Sequence, residues 1–246
     1  MINKVFIKFL SIIIGLIDYP NKKKIIFFFK NEFKNEKLSI IDIGSHKGET
    51  IDLFIKNFDI KKIFAFEPNI KLFKILKKKR YDFEKIKLFN LGVGMNEENL
   101  DLNIMIDSAS STFNSINLES SYYKKKKNII IFLSNKSNLL ENKQQISIVT
   151  LSKFVSDNKI EQVDILKIDT EGFEFNILKG IKSIDFEKFK YIYFEHHYDL
   201  MINKGYNFSD INNLLIKQNF KKKFKIKMKF RKSFEYIYEN KILKKE

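Results

Sequence analysis

From Leu38 onward the apolar and polar positions fall into a regular succession of short patterns. Leu38-Ser-Ile-Ile-Asp-Ile-Gly44 is a β-branched run stopped by a glycine, which predicts a strand. After Gly48 the apolar residues Ile51, Phe54, Ile55 and Phe58 follow the spacing of one helix face. Residues 63–66 predict a second buried strand, and Pro68 closes it and opens a helix lined by Ile70, Phe73 and Leu76. A third strand is expected at 86–91. Gly92 and Gly94 read as a turn into the alternating Leu100, Leu102, Ile104 and Ile106, a half-exposed strand. Helices at 151–155, 175–181 and 211–220 then alternate with strands at 163–168 and 191–194. Near the end Phe224, Ile226, Met228 and Phe230 alternate with Lys225, Lys227, Lys229 and Arg231, the pattern of an edge strand, and a last strand is expected at 234–238.

Strands alternating with helices predict an α/β fold: a mostly parallel, Rossmann-like sheet with helices on both faces and a C-terminal antiparallel hairpin. One domain is expected over 38–246, preceded by a helical extension at 1–37. Residues 108–145, rich in Ser and Asn, read as an insertion, with Lys124 to Lys127 as a solvated loop and the apolar run at 129–133 as a short element. Residues 5–17 are apolar but too few to span a bilayer, and no small-residue cleavage site follows them. They are expected to pack on the domain, with contact at an anionic membrane surface as the alternative. The expected location is cytoplasmic, that alternative placing the chain at the inner face of the membrane.

Hydrophobic residues make up 44% and aromatic residues 15% of the 246 positions, which excludes a disordered chain. With no cysteine, disulfide frameworks, thiol nucleophiles and thiolate metal sites are excluded too. The net charge of +16 invites a nucleic-acid or membrane reading. Only Arg80 and Arg231 are arginines, however, and paired-donor recognition of phosphates and bases leans on arginine. Nucleic acid is therefore not expected as a partner. The lysine excess, beside abundant Ile, Asn and Phe, is the profile of an A+T-rich coding sequence.

In an open parallel sheet, ligands bind beyond the carboxyl ends of the strands where strand order reverses. The predicted strands end in Asp42-Ile-Gly44-Ser45-His46-Lys-Gly48-Glu49, in Glu67-Pro68, in Asp169-Thr-Glu171-Gly-Phe-Glu174 and in Glu195-His196-His197. His46 stands where a dinucleotide fingerprint would place its middle glycine, so no pyrophosphate cradle is expected. Glu67, 23 positions after Gly44, is placed to accept the hydroxyl protons of a ribose. A ribose-containing cofactor without a diphosphate fits, and S-adenosylmethionine, with its sulfonium cation, suits a pocket lined by Asp42 and Asp169.

These motifs resemble the FkbM family of S-adenosylmethionine-dependent methyltransferases. The resemblance is carried by Ile-Asp-Ile-Gly-Ser-His-Lys-Gly-Glu at 41–49, Phe-Glu-Pro at 66–68 and, most specifically, Asp-Ile-Leu-Lys-Ile-Asp-Thr-Glu-Gly-Phe-Glu-Phe-Asn-Ile-Leu-Lys-Gly at 164–180. It covers roughly residues 38–240, and Ser45-His46 stands where family members more often carry Ala-Asn. It implies that Asp42, Gly44 and Gly48 shape the pocket for the methionine end of the cofactor; Ser45 and His46, in the same loop, are expected to bind the cofactor as well. It further implies that Glu67 binds the ribose, that Asp169 lies near the reacting centre, and that the reaction is O-methylation of a sugar, polysaccharide or secondary-metabolite hydroxyl.

Candidate catalytic groups are Asp169, Glu171 and His196; a neutral imidazole at the mouth of the site could take the acceptor's proton. Glu171 and Glu174 also suit a first helical turn, where carboxylates complement the dipole. A divalent metal between Asp169 and Glu195 is a subsidiary expectation. The competing readings are a nicotinamide-dependent oxidoreductase and a non-enzymatic binder of nucleic acid or anionic membrane.

Overall fold

The computed structural model describes residues 18–134, 138–229 and 232–243. The apolar stretch at 5–17, with its expected packing or membrane contact, lies outside the described residues. Ten strands and seven α-helices occur among the described residues. They are α1 (residues 18–32), β1 (Leu38–Ile43), α2 (Glu49–Asn57), β2 (Ile60–Phe66), α3 (Ile70–Lys77), β3 (Ile86–Phe89), β4 (Gly92–Val93), β5 (Glu98–Met105), α4 (Ser121–Ser134), β6 (Leu140–Val149), α5 (Leu151–Asp157), β7 (Val163–Ile168), α6 (Glu174–Lys179), β8 (Phe189–His197), α7 (Phe208–Lys217), β9 (Phe220–Lys227) and β10 (Ser233–Asn240).

The main sheet runs β3-β2-β1-β7-β8-β10-β9. Neighbours from β3 to β8 are parallel, and β10 is antiparallel to both β8 and β9. The expected hairpin is therefore present, with its second strand inserted between β8 and β9. Strand order reverses between β1 and β7, so the crevice beyond their carboxyl ends is the natural ligand position.

Alternation along β1 divides the interior. Leu38 and Ile40 face a core with Ile25, Ile26 and Phe29 of α1, Ile51 and Phe54 of α2, and Leu76 of α3. Ile41 and Ile43 face the opposite core, with Phe154 of α5, Ile177 of α6 and Ile211 and Leu215 of α7. Each such buried side chain contributes roughly 1.5–3 kcal/mol of transfer free energy. Residues 18–32 thus share a core with the sheet, although they fall in the stretch expected as an extension. Side-chain caps help set the helix starts: Asn69 accepts from Lys71 N, Thr150 from Lys153 N, and Asn207 forms a reciprocal box with Asp210.

Three expectations need correction. Gly92 does not make a turn; with Val93 it pairs with Ile148 and Val149 as β4, in a second sheet ordered β4-β6-β5. The expected insertion ends before 145, because β6 already begins at Leu140 and pairs with β5. Residues 141–145 are all polar, so they carry no strand alternation. Lys124 to Lys127 lie on α4 rather than in a loop. Tyr123, seven positions before Ile130, seats that helix on Met105, Met201 and Ile202.

Candidate functional site

The loop after β1 folds back on the end of β2. Gly44 N and Ser45 N both donate to the Phe66 carbonyl at 3.0 Å, and Gly48 N donates to Ser45 O at 2.7 Å. Gly44 and Gly48 take φ of +85° and +87°, and His46 joins them in the left-handed region at +49°. The turn aims His46 N at Glu67, whose Oε2 accepts at 2.7 Å, while Oε1 accepts from Asn69 N at 2.8 Å. Each oxygen keeps a lone pair, so the carboxylate retains capacity for two further donors. Burial pushes the Glu67 carboxyl up to about 8. The His46 ring turns away to Glu49 at 3.2 Å, and Ser45 Oγ donates to Asp42 O at 3.1 Å.

Asp42 is 1% exposed, and neither of its carboxylate oxygens has a hydrogen-bond partner. Burial raises its pKa, partly offset by Lys167, its register neighbour on β7. The Lys167 ammonium, itself buried, donates to Asp169 Oδ2 at 2.8 Å. Burial opposes its charge, yet Asp169 and Asp42 outweigh that and raise its pKa. Tyr193 and Glu235 continue this polar layer beneath α1, where a cavity of about 30 Å³ is also lined by Lys22, Thr50, Lys167 and Asp169. A wider groove, lined by Asp52, Phe58, Ile60, Tyr81 and Ile86, opens at the starts of β2 and β3, the opposite end of those strands from Glu67.

Beyond β7 the chain turns sharply. Glu171 takes φ of +51°, and Glu174, fully buried, pins the turn by accepting from the N–H groups of Thr170 and Gly172 at 3.1 and 3.0 Å. Its other oxygen accepts the Tyr206 hydroxyl at 2.5 Å. The second half of the clamp comes from the expected insertion: Thr112 Oγ1 donates to Glu171 O at 2.9 Å and Asn114 Nδ2 to Gly172 O at 2.6 Å. Held this way, Glu171 faces His197 Nε2 at 3.6 Å, and Glu195 lies 3.7 Å from the same nitrogen. Burial raises the Glu171 carboxyl to about 7, against the pull of His197. Burial disfavours the His197 charge, but Glu171, Asp199 and Glu195 more than compensate and lift it to about 10.

The sequence-expected residues Asp42, Gly44, Ser45, His46, Gly48, Glu67, Asp169 and Glu171 all gather at the carboxyl ends of β1, β2 and β7. His196 does not join them. Both histidines belong to β8 rather than to a loop after it, and strand alternation turns successive residues to opposite faces. His196 packs between Tyr198, Tyr206 and Phe208, is 2% exposed, and is pushed down to about 3 by burial. His197 faces the acids instead.

Sequence reasoning passed over Lys167, Tyr193, Glu235 and Lys126. Lys167 had a readable signal, a lysine inside a strand too apolar to be exposed. Lys126 had none: its place beside Asp107, at 2.7 Å, and within the field of Glu171 depends on how α4 docks.

Residues 42–222 match the model of the methyltransferase FkbM domain. No curated protein sequence matches the chain. Among solved structures, the chain is similar to a methyltransferase FkbM from Methylobacillus flagellatus KT at 15% identity and a TM-score of 0.51. That match covers 82% of this chain but only 44% of the other. It is also similar to TrmK of M. capricolum in complex with S-adenosyl-homocysteine, at 13% identity and a TM-score of 0.50 over 90% and 68% of the two chains. Magnesium protoporphyrin IX methyltransferase of Synechocystis PCC 6803 with S-adenosyl-homocysteine bound matches at 8% identity and 0.51, over 92% and 85%. Identities this low speak to fold alone, and the fold they share with the chain is that of the class I methyltransferases. With the family model spanning most of its length, this chain belongs to the FkbM methyltransferase domain family.

Proposed function

We propose that this protein binds S-adenosylmethionine across the β1 and β2 ends and transfers its methyl group to a hydroxyl of a sugar, polysaccharide or secondary metabolite. The observation that carries the reading is Glu67, a buried carboxyl group fixed by two backbone N–H groups beside the glycine loop, with hydrogen-bonding capacity left on each oxygen for one ribose hydroxyl. The donor set also fits the other end of the cofactor. Asp42 offers two buried, unpartnered acidic oxygens toward the layer where a sulfonium or ammonium would lie.

When bound, the cofactor supplies an electrophilic methyl group on a cationic sulfur that departs as a neutral thioether. The chain's own residues do the rest. The Gly44–Gly48 turn, with Ser45 and His46, shapes the methionine end, and Glu67 orients the ribose. Asp169, steered by Lys167, faces the reacting centre. Glu171, clamped by Thr112, Asn114 and Glu174, receives the acceptor's proton. Most of the rate then comes from holding the acceptor oxygen in line and excluding water. His196 is given no part in this scheme, and the protein is placed in the cytoplasm. No described helix is long and apolar enough to cross a membrane.

The family match weighs against the oxidoreductase reading, as does the missing middle glycine. Calorimetric titration with S-adenosylhomocysteine and, separately, NAD tests the proposal, with Glu67→Ala as control. Micromolar binding of the former only, lost in the variant, is the expected result. Absence of binding to folded wild-type protein would refute it.

A further inference from the structure

Asp169, Glu195 and His197 converge at the carboxyl ends of β7 and β8, with one ligand atom of each within 4.8 Å of the others. The imidazole has a defined orientation. Its Nδ1 faces the Asp199 carboxylate at 3.6 Å, while Nε2 points toward Glu171 and Glu195 and is buried without a hydrogen-bond partner. A carboxylate on one ring nitrogen, with the other nitrogen aimed at acidic oxygens, is how proteins orient a metal-binding histidine.

A second observation comes from the neighbouring strand. Glu235, 4% exposed, lies directly opposite Glu195 in the β8–β10 pairing. Its Oε1 accepts the Tyr193 hydroxyl at 2.8 Å, but Oε2 is equally buried and has no partner. Glu235 and Asp169 line the same small cavity beneath α1. Asp42, Asp169, Glu171, Glu195 and Glu235 thus crowd one region, with Lys167, Lys126, Lys204, Lys22 and, when protonated, His197 among the cations described there. Mutual repulsion among carboxylates this close is eased by every cation that joins them.

We infer that Asp169, Glu195 and His197 hold one divalent cation, with Glu235 as the outer carboxylate behind Glu195 and Asp199 as the outer carboxylate behind His197. Two carboxylates and one imidazole, with no thiolate, suit Mn²⁺, which accepts oxygen and nitrogen donors alike. Its use, which rests on the methyl-transfer reading, is to draw in the acceptor hydroxyl and ease loss of its proton to Glu171.

The test is direct titration of the purified 246-residue chain with Mn²⁺ alone, following loss of the free aqueous ion's paramagnetic resonance signal. Saturable binding of one ion per chain at submillimolar concentration is expected, weakened at least about tenfold in both His197→Ala and Glu195→Gln. Circular dichroism establishes that each variant is folded, and Glu97→Gln, a surface carboxylate, should bind as the wild type does. No saturable binding to folded wild type at millimolar Mn²⁺ would overturn the inference. So would undiminished affinity in either folded variant, which would put the ion elsewhere. Neither result touches the S-adenosylhomocysteine titration, so failure of the cation site and failure of the methyl-transfer reading are separable.

Discussion

Gly44 and Asp169 meet backbone to backbone: a β-carbon added to Gly44 would stand 2.0 Å from the Asp169 carbonyl oxygen. The close approach joins the loops after β1 and β7, the two strands between which sheet order reverses. Gly44→Ala must therefore either part these loops or distort both, on top of an unfavourable φ of +85°. A loss of at least about 2 kcal/mol in urea unfolding is expected, together with weakened S-adenosylhomocysteine binding. Unchanged stability would show that the loops tolerate separation.

Glu67 makes stability depend on pH in a stated direction. Its carboxyl is raised by burial to about 8 from an ordinary 4.5, so across that window the folded chain keeps a proton that the unfolded chain releases. Stability attributable to this group falls as pH rises between those values and levels off above and below them. Glu67→Gln removes the dependence. The stability of the variant minus that of the wild type should grow by a few kcal/mol, to order of magnitude, from pH 4.5 to 8. A flat or shrinking difference in denaturant titrations at several pH values would contradict the assignment.

Lys167 is the buried cation between Asp42 and Asp169, and replacing it with methionine removes the counter-charge that both carboxylates share. Breaking a buried pair from one side costs about 3–5 kcal/mol. Lys153→Met, which removes exposed contacts to Glu97 and Asp157, should cost less than about 1 kcal/mol. Equal effects in chemical denaturation would mean that the Lys167 layer is hydrated.

Thr112 connects the segment after β5 to the turn after β7 through one hydrogen bond to Glu171 O. Thr112→Val, nearly isosteric, should cost about 1–2 kcal/mol and loosen the turn enough to speed amide exchange at Gly172 and Phe173. Wild-type exchange in the variant would assign the clamp to Glu174 and Asn114 alone.

The parallel sheet, its order of elements and the glycine loop were legible because each is a local pattern. A β-branched run stopped by glycine specifies β1, and the spacing of Ile51 and Phe54 specifies the buried face of α2. Glu67 was legible for a similar reason, since a strand-end position follows from where the strand ends. α4 was not, because four consecutive lysines have no apolar period and its seat depends on Met105 and Met201, far away in the chain. β4 and the first half of β6 escaped for the same reason: a two-residue strand and a polar one exist only through their partners.

The two histidines mark the boundary between the kinds of information. The sequence by itself established that His196 and His197 follow the strand expected at 191–194, next to Glu195, because periodicity and composition are local properties. Only the tertiary structure decided which one meets the acids. One residue of register turns a side chain to the other face of the sheet, and the packing of Tyr206 and Phe208 against one face and the turn at Glu171 against the other assigns His196 to an aromatic core and His197 to the site.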